Sequence, residues 1–421
     1  VRIIIFEVLM KKHLRVVLAI ILLGLSILAC GLPNGQNQPS ATDDAPSSDQ
    51  VATVVASTMQ ALTPNSPDSP TPQPAGLLPH SLYFVNNDNA GIAQIFRLEA
   101  NGKTTTQITF EPSAVGRYDV SQIDGSVVYV SNNQLLLINA DGSGRRVLVD
   151  GGPVDPDYQF AEGINNPTFS PDEQTIAFGH GGLVLYAVST GISNKVVENV
   201  IGDIGGGLGP GLMYVPQRYS PDGTKILITV AIPNSDGVSS GIYYPAAGLL
   251  LPVNGEDGAA VCCGEQGWAW DSSALYAGIS SVGMFGSGLW RVDASSGDMT
   301  TLLPTESGGN YNLASEPYLA PDGQLYFFFA NVPSGQEFVS RAPLQIVRAA
   351  PDGVTGRTVL LPETFQLMNE ALWAPDASFV ITAIAPSDQI YQGGALELFY
   401  THAEAGFLTL APFGQQLKWG P

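Results

Sequence analysis

A short turn that recurs about every fifty residues constrains the fold of this chain more than any other feature. An aromatic residue or Leu, a small residue, Pro and an Asp follow one another as Phe169-Ser170-Pro171-Asp172, Tyr219-Ser220-Pro221-Asp222, Leu319-Ala320-Pro321-Asp322 and Trp373-Ala374-Pro375-Asp376. Two degenerate copies, Trp268-Ala269-Trp270-Asp271 and Ser121-Gln122-Ile123-Asp124, stand in phase, so successive Asp residues lie 48, 50, 49, 51 and 54 positions apart. A fixed period of this size implies a repeat architecture, in which each unit buries its apolar face against its neighbours.

Each turn is followed by a β-rich run, as in Thr175-Ile176-Ala177-Phe178 or Lys225-Ile226-Leu227-Ile228. A loop of variable length comes next, then a second run ending in a Gly turn (Leu135 to Gly142; Leu289 to Gly297), then a short closing run such as Arg146-Val147-Leu148-Val149. With the strand that enters the Asp turn, this makes four strands per repeat joined by hairpin signals. Four-stranded sheets at this period fit the blades of a β-propeller. The first unit, from Ser81 to Ile108, lacks a first strand, whereas the chain stops at Gln415-Gln416-Leu417-Lys418-Trp419-Gly420-Pro421, which reads as a first strand in phase. The expected fold is all-β: a seven-bladed propeller of four-stranded antiparallel blades over residues 80–421, closed by the C-terminal strand. An open six-bladed array is the alternative.

With its Ser-Pro-Asp-Gly and Ala-Pro-Asp-Gly turns, the stretch 80–421 resembles the TolB-type, WD-repeat-like β-propeller repeats of bacterial extracytoplasmic proteins. The resemblance implies a fold rather than a function, because that family includes partner-binding scaffolds, accessory domains of serine peptidases and proteins of many other roles. TolB itself has six blades and an α/β domain ahead of them. Here seven blades are counted and residues 31–79 are too few and too polar for such a domain, so a TolB role is not implied.

Lys11, Lys12 and Arg15 precede the mostly apolar run Val16 to Ala29, which ends in Ile27-Leu28-Ala29-Cys30. A short apolar core behind a basic region is a secretory signal rather than a membrane span, which needs about 20 apolar residues. The terminal tetrapeptide looks like a bacterial lipobox, which would make Cys30 the lipidated first residue of the mature protein. Two acyl chains suffice for stable anchoring. Residues 1–29 are thus expected to be a lipoprotein signal peptide, with Met10 as an alternative start. Residues 30–79 are expected to be the anchor and a Pro/Ser/Thr-rich tether that cannot bury enough surface to fold. One apolar island, Val51, Val54, Val55, Met59 and Leu62, falls on a single helical face. The expected address is extracytoplasmic, anchored to a bacterial cell membrane or outer membrane.

Without residues 1–29, which hold Arg2, Lys11, Lys12, Arg15 and Glu7, the chain keeps 13 basic and 37 acidic residues, a net charge of −24. Nucleic-acid binding draws on basic contacts to phosphates and is not expected here. An acidic surface keeps a cell-surface protein soluble and attracts cations.

In a four-stranded blade, the turns between first and second strands and between third and fourth open on one face, and here they are short. The insertions open on the opposite face, which is therefore the candidate binding surface. Its loops supply Tyr158, Phe160, Phe285, Phe338 and Tyr391 with Asp155, Asp157 and Asp236. Aromatic rings mixed with carboxylates suit glycan or peptide recognition.

Motifs for chemistry are weak. Gly237-Val238-Ser239-Ser240-Gly241 spells G-x-S-x-G but leads into a strand, not the strand-to-helix elbow of a nucleophile. Gly205 to Gly211 lacks the Lys-Ser/Thr of a phosphate loop. His80, His180 and His402 do not have metal-ligand spacing, and no metal site is expected. Asp155-Pro156-Asp157 is a calcium candidate with only two of the roughly six to eight oxygens required. Cys262 and Cys263 are adjacent, so the alternatives are a strained vicinal disulfide and two buried thiols. The leading expectation is a non-catalytic module that binds protein, peptide or glycan. The rivals are a propeller-type hydrolase or lyase acting on carbohydrate, with clustered carboxylates as acid and base, and a structural subunit of an envelope complex.

Overall fold

The computed structural model describes residues 76–154, 162–203, 208–232, 238–255, 261–262, 264–282, 286–333, 335, 341–402 and 406–421. They belong to one compact unit. The expected signal with Cys30, residues 30–75 of the tether, and Asp155, Asp157, Tyr158, Phe160, Asp236, Cys263, Phe285 and Phe338 lie outside the described residues, whereas tether residues 76–79 are described and Leu78 is buried in an apolar seam with Leu82 and Leu98.

The described strands form groups of three to five in chain order. The first group has β1 (Leu82–Asn87), β2 (Ala93–Leu98) and β3 (Thr105–Gln107). The second has β4 (Tyr118–Val120), β5 (Val127–Ser131), β6 (Gln134–Ile138) and β7 (Arg146–Asp150). The third has β8 (Asn165–Phe169), β9 (Thr175–Gly179), β10 (Gly182–Ala187) and β11 (Ile192–Glu198). The fourth has β12 (Val200–Asp203), β13 (Leu208–Tyr219), β14 (Ile226–Ala231), β15 (Val238–Tyr244) and β16 (Leu249–Pro252). The fifth has β17 (Glu265–Trp268), β18 (Ala274–Ile279), β19 (Gly288–Asp293) and β20 (Met299–Leu303). The sixth has β21 (Glu306–Ser307), β22 (Asn310–Leu319), β23 (Leu325–Pro333), β24 (Gln345–Ala349) and β25 (Thr358–Val359). The last has β26 (Met368–Trp373), β27 (Phe379–Ile384), β28 (Gly394–Tyr400) and β29 (Phe407–Trp419). All ladders within the sheets are antiparallel meanders, and the first and last groups merge into one sheet of order β26-β27-β28-β29-β1-β2-β3. The architecture is an all-β propeller.

The repeated turn owes its shape to local hydrogen bonds. In Ser170-Pro171-Asp172, the Ser170 hydroxyl donates to Asp172 Oδ1 (2.6 Å) and accepts from Thr175 N (3.0 Å), while Glu173 N donates to Ser170 O (2.8 Å). Ser220 and Asp222 repeat the pattern. The residue after the Asp has a positive φ in all six turns: Gly125, Glu173, Gly223, Ser272, Gly323 and Ala377. Glycine adopts that conformation without strain, so its absence from three copies leaves the side-chain bonds and packing to hold the turn.

Second strands read as continuous apolar runs because both of their faces are covered. Ile226, Leu227 and Ile228 are fully buried, as are Val127, Val128 and Tyr129. Alternate residues pack against the sheet before and the sheet after, so the core is divided among seams. Seven buried clusters are described, one between each pair of consecutive groups, including the pair made by the last group and the first.

The C-terminal strand belongs to two groups at once. The first half of β29 pairs with β28 (Phe399↔Phe407, Leu398↔Leu408), and its second half pairs with β1 (Leu82↔Trp419, Tyr83↔Lys418). Leu417 is buried, Trp419 Nε1 donates to Trp373 O (2.8 Å), Gln122 Nε2 donates to Trp419 O (2.7 Å) and Tyr118 Oη donates to Gln416 O (2.6 Å). Deleting Gln415–Pro421 removes this pairing and exposes the surfaces under Leu417 and Trp419, at about 1.5–3 kcal/mol per large side chain. The truncated chain is expected to melt at a clearly lower temperature than the full chain in calorimetry. An unchanged midpoint would mean that the pairing contributes nothing to stability.

Candidate functional site

The innermost strands carry a second in-phase position, six residues before each turn Asp. It is occupied in chain order by Tyr118, Asn166, Pro216, Glu265, Glu316, Glu370 and, counting back from the end of the last unit, Gln416. Strand register shifts close to this position in β8, β13, β22, β26 and β29, and φ is positive at Asn166 (43°), Glu316 (50°) and Gln416 (56°). A bulge of this kind adds a residue to one strand and re-aims a side chain.

Three consecutive units place Glu there, and each carboxyl reaches the next unit. Glu370 accepts from Gln416 N (2.7 Å) and Leu417 N (2.6 Å) of the closing strand. Glu316 accepts from Ala371 N (3.2 Å), and Glu265 engages Ser315. Glu316 lines the channel cavity, and burial holds all three carboxyls above the usual carboxyl range. Glu316 is raised further by the charges of Glu265 and Glu370, against the opposing pull of Ala371 N–H and Arg218. For Glu370 the two backbone N–H groups of Leu417 and Gln416 oppose the burial. These residues were not among the sequence candidates. Their only signal in the sequence is their phase relative to the turn.

One cavity of about 570 Å³ is lined by the innermost strand of every group, through Asp119, Thr168, Arg218, Gln266, Glu316, Leu372 and Lys418 among others. It reaches the short-turn face, since Pro171, Pro221 and Pro375 also line it. Asp119 is fully engaged: Oδ2 accepts from Thr168 Oγ1 (3.0 Å) and Phe169 N (2.8 Å), and Oδ1 pairs with Lys418 Nζ (2.9 Å).

On the long-loop face, Tyr391 is the aromatic candidate that falls within the described residues. It is 64 % exposed, and the Arg341 guanidinium lies over its ring at 4.7 Å from the centroid. Arg341 in turn donates from Nη2 to Asn369 Oδ1 (3.0 Å) and to Ile390 O, and Asn369 Nδ2 donates to Gly393 O (2.7 Å). A cation stacked on an exposed ring and tied at its other end fixes the ring's orientation. The other aromatic candidates, Tyr158, Phe160, Phe285 and Phe338, lie outside the described residues. Ser239 and Ser240 of the G-x-S-x-G spelling lie inside β15, with Ser240 buried, so neither stands on a nucleophile turn. His180 sits in the tight turn between β9 and β10, outside the channel lining. Cys262 Sγ lies 3.9 Å from Thr229 Oγ1, and its pairing with Cys263 falls outside the described residues. No group of three or more His, Cys, Asp or Glu at metal-holding geometry occurs among the described residues.

No protein-family model matches the chain, and no curated protein sequence does. Among solved structures it is similar to a prolyl endopeptidase from a study of two such enzymes, with 13 % identity and a TM-score of 0.52 over 80 % of this chain and 49 % of that one. The chain thus spans about half the length of that enzyme. It is also similar to an oligogalacturonate lyase in complex with manganese, with 11 % identity and a TM-score of 0.51 over 78 % of this chain and 84 % of that one. TolB from Acinetobacter baumannii aligns at 14 % identity with a TM-score of 0.40, over 80 % and 82 % of the two chains, and the fold assignment does not rest on it. At such identities the two stronger similarities establish a shared fold and nothing about chemistry.

A carboxyl whose folded pKa is above its unfolded value contributes stability that is complete below the unfolded value and is lost as pH rises through the folded one. Glu265, Glu316 and Glu370 all have this sign. The melting temperature is expected to fall between about pH 5 and pH 8, and Glu316→Gln should shrink that fall because a neutral amide has no proton to lose. A difference between the two pH values that is identical in the wild type and in Glu316→Gln would contradict the assignment.

Proposed function

We propose that this chain is a lipid-anchored extracytoplasmic binding module: a ring of seven four-stranded blades closed by the C-terminal strand, held from the membrane by a tether that begins at Cys30. Support for the ring comes from the cavity lined by seven innermost strands and from the seam that joins the last group to the first. The long-loop face is proposed to recognise a protein, peptide or glycan, using Tyr391 together with Tyr158, Phe160, Phe285, Phe338, Asp155, Asp157 and Asp236. The observation that carries this reading is the exposed Tyr391 ring, stacked by Arg341 and braced through Asn369. An aromatic platform whose orientation is set before binding loses less entropy on binding.

A second reading is favoured by a different observation. Glu265 and Glu316 lie close enough for the charge of one to raise the other, as acid and base carboxyls do in glycoside chemistry. A hydrolase or lyase acting on carbohydrate would use this pair. The engagement of Glu316 and Glu370 with backbone N–H groups of the next unit fits a structural role better.

The full chain, in detergent, is to be applied to glycan and peptide arrays with and without calcium. Specific binding that drops about tenfold or more in Tyr391→Ala and in Arg341→Gln is expected, the loss of one desolvated stacking contact being worth about 1–2 kcal/mol. Binding unaffected by both variants would remove the long-loop face from consideration, and turnover of an arrayed glycan that Glu316→Gln abolishes would favour the enzyme. Membrane fractionation gives a separate check on the anchor: Cys30→Ser is expected to leave the protein in the soluble or unprocessed fraction, and wild-type-like membrane retention of a processed Cys30→Ser chain would refute lipidation.

A further inference from the structure

The channel cavity contains a cation, Arg218, that no described residue pairs. Arg218 follows the β13 bulge, where register shifts between Pro216 and Arg218, and its side chain is exposed to the cavity. No described residue hydrogen-bonds or ion-pairs with its guanidinium. The other cation of the wall, Lys418, is held by Asp119, whose remaining oxygen is occupied by Thr168 and Phe169. The carboxyl whose charge interacts with Arg218 is that of Glu316. Burial and the charges of Glu265 and Glu370 raise Glu316 above the usual carboxyl range, with Ala371 N–H and Arg218 opposing, and no ion pair forms between Glu316 and Arg218.

The wall beside Arg218 is aromatic. Phe169, Tyr219, Trp268 and Trp373 line the same cavity. Equivalent Trp residues of other units satisfy their indole N–H on backbone: Trp373 Nε1 donates to Glu316 O and Trp419 Nε1 to Trp373 O, both at 2.8 Å. Trp268 Nε1, on the unit next to Arg218, is enclosed and has no acceptor among the described residues. Two neighbouring units therefore present donors that no described residue accepts from.

We propose that this cavity is a binding site for a small carboxylate with an apolar or aromatic body, its carboxylate paired with Arg218 and its body against the Tyr219 and Trp268 wall. A planar guanidinium takes a carboxylate in two parallel N–H···O bonds. About 570 Å³ is within the usual size of small-molecule sites, roughly 300–1,000 Å³. The site is on the short-turn side, apart from the long-loop face, and stands whether or not that face binds a macromolecule.

The test is calorimetric titration of the full chain with benzoate, phenylacetate and N-acetylphenylalanine, each beside its amide, with acetate and sulfate as further probes. At least one aromatic carboxylate is expected to bind saturably at one per chain, with its amide, acetate and sulfate each at least about tenfold weaker. Arg218→Gln should abolish the preference for carboxylate over amide, Arg218→Lys should keep part of it, and both should keep the wild-type circular dichroism because no described residue hydrogen-bonds or ion-pairs with the Arg218 guanidinium. Arg341→Gln, on the other face, should bind the carboxylate as the wild type does. The proposal is overturned if none of the three carboxylates binds up to about 10 mM, if the amides or sulfate bind equally well, or if Arg218→Gln binds unchanged.

Discussion

Everything in this molecule depends on a single strand pairing with two groups that lie at opposite ends of the chain. Residues 407–414 of β29 extend the last group and residues 415–419 pair with the first. A repeat sheet buries its faces only against neighbours, so an open array would leave two apolar faces and an unpaired edge in water. The seam joining Phe379, Ile381 and Leu398 of the last group to Leu82, Phe84 and Leu98 of the first exists because of that pairing. The contacts are the longest-range in the chain, so their formation costs loop entropy that local hairpins do not.

The buried carboxyls are tied to the same closure. Glu370 gives both oxygens to N–H groups of the closing strand, and Glu316 and Glu265 make the corresponding link one and two units earlier. Enclosing a carboxyl is unfavourable in its charged form, and backbone N–H donors offset that cost where they are available. Glu370 has two such donors and Glu316 has one long one, and Glu316 feels two carboxylate neighbours besides. The row of buried carboxyls is therefore tied to the fit between units, while the apolar seams between sheets supply the burial.

Much of the architecture was legible in the residues alone, the chemistry much less so. The turns, the apolar second strands and the β character of Gln415–Trp419 follow from patterns a few residues long, since Ser170 and Asp172 bond within the turn they define. The resemblance read from those turns extended to fold and stopped there. Of the loop candidates, Tyr391 alone is placed by the described residues, and its partners Arg341, from another loop, and Asn369, from the start of β26, are linked to it by no short pattern. Glu265, Glu316, Glu370 and Arg218 sit in four different strands, and no local pattern beyond their phase relative to the turn marks them.

The chain by itself determined the period, the strands and the turn, because each is stabilised by hydrogen bonds and burial patterns that are complete within one repeat. Tertiary structure decided which side chains meet. Arg218, Trp268, Glu316 and Lys418 lie roughly fifty or more positions from one another and share a cavity only because the innermost strands converge when the ends pair. Local spacing specifies the direction of a side chain within its strand, and closure of the sheets around the channel specifies what it faces.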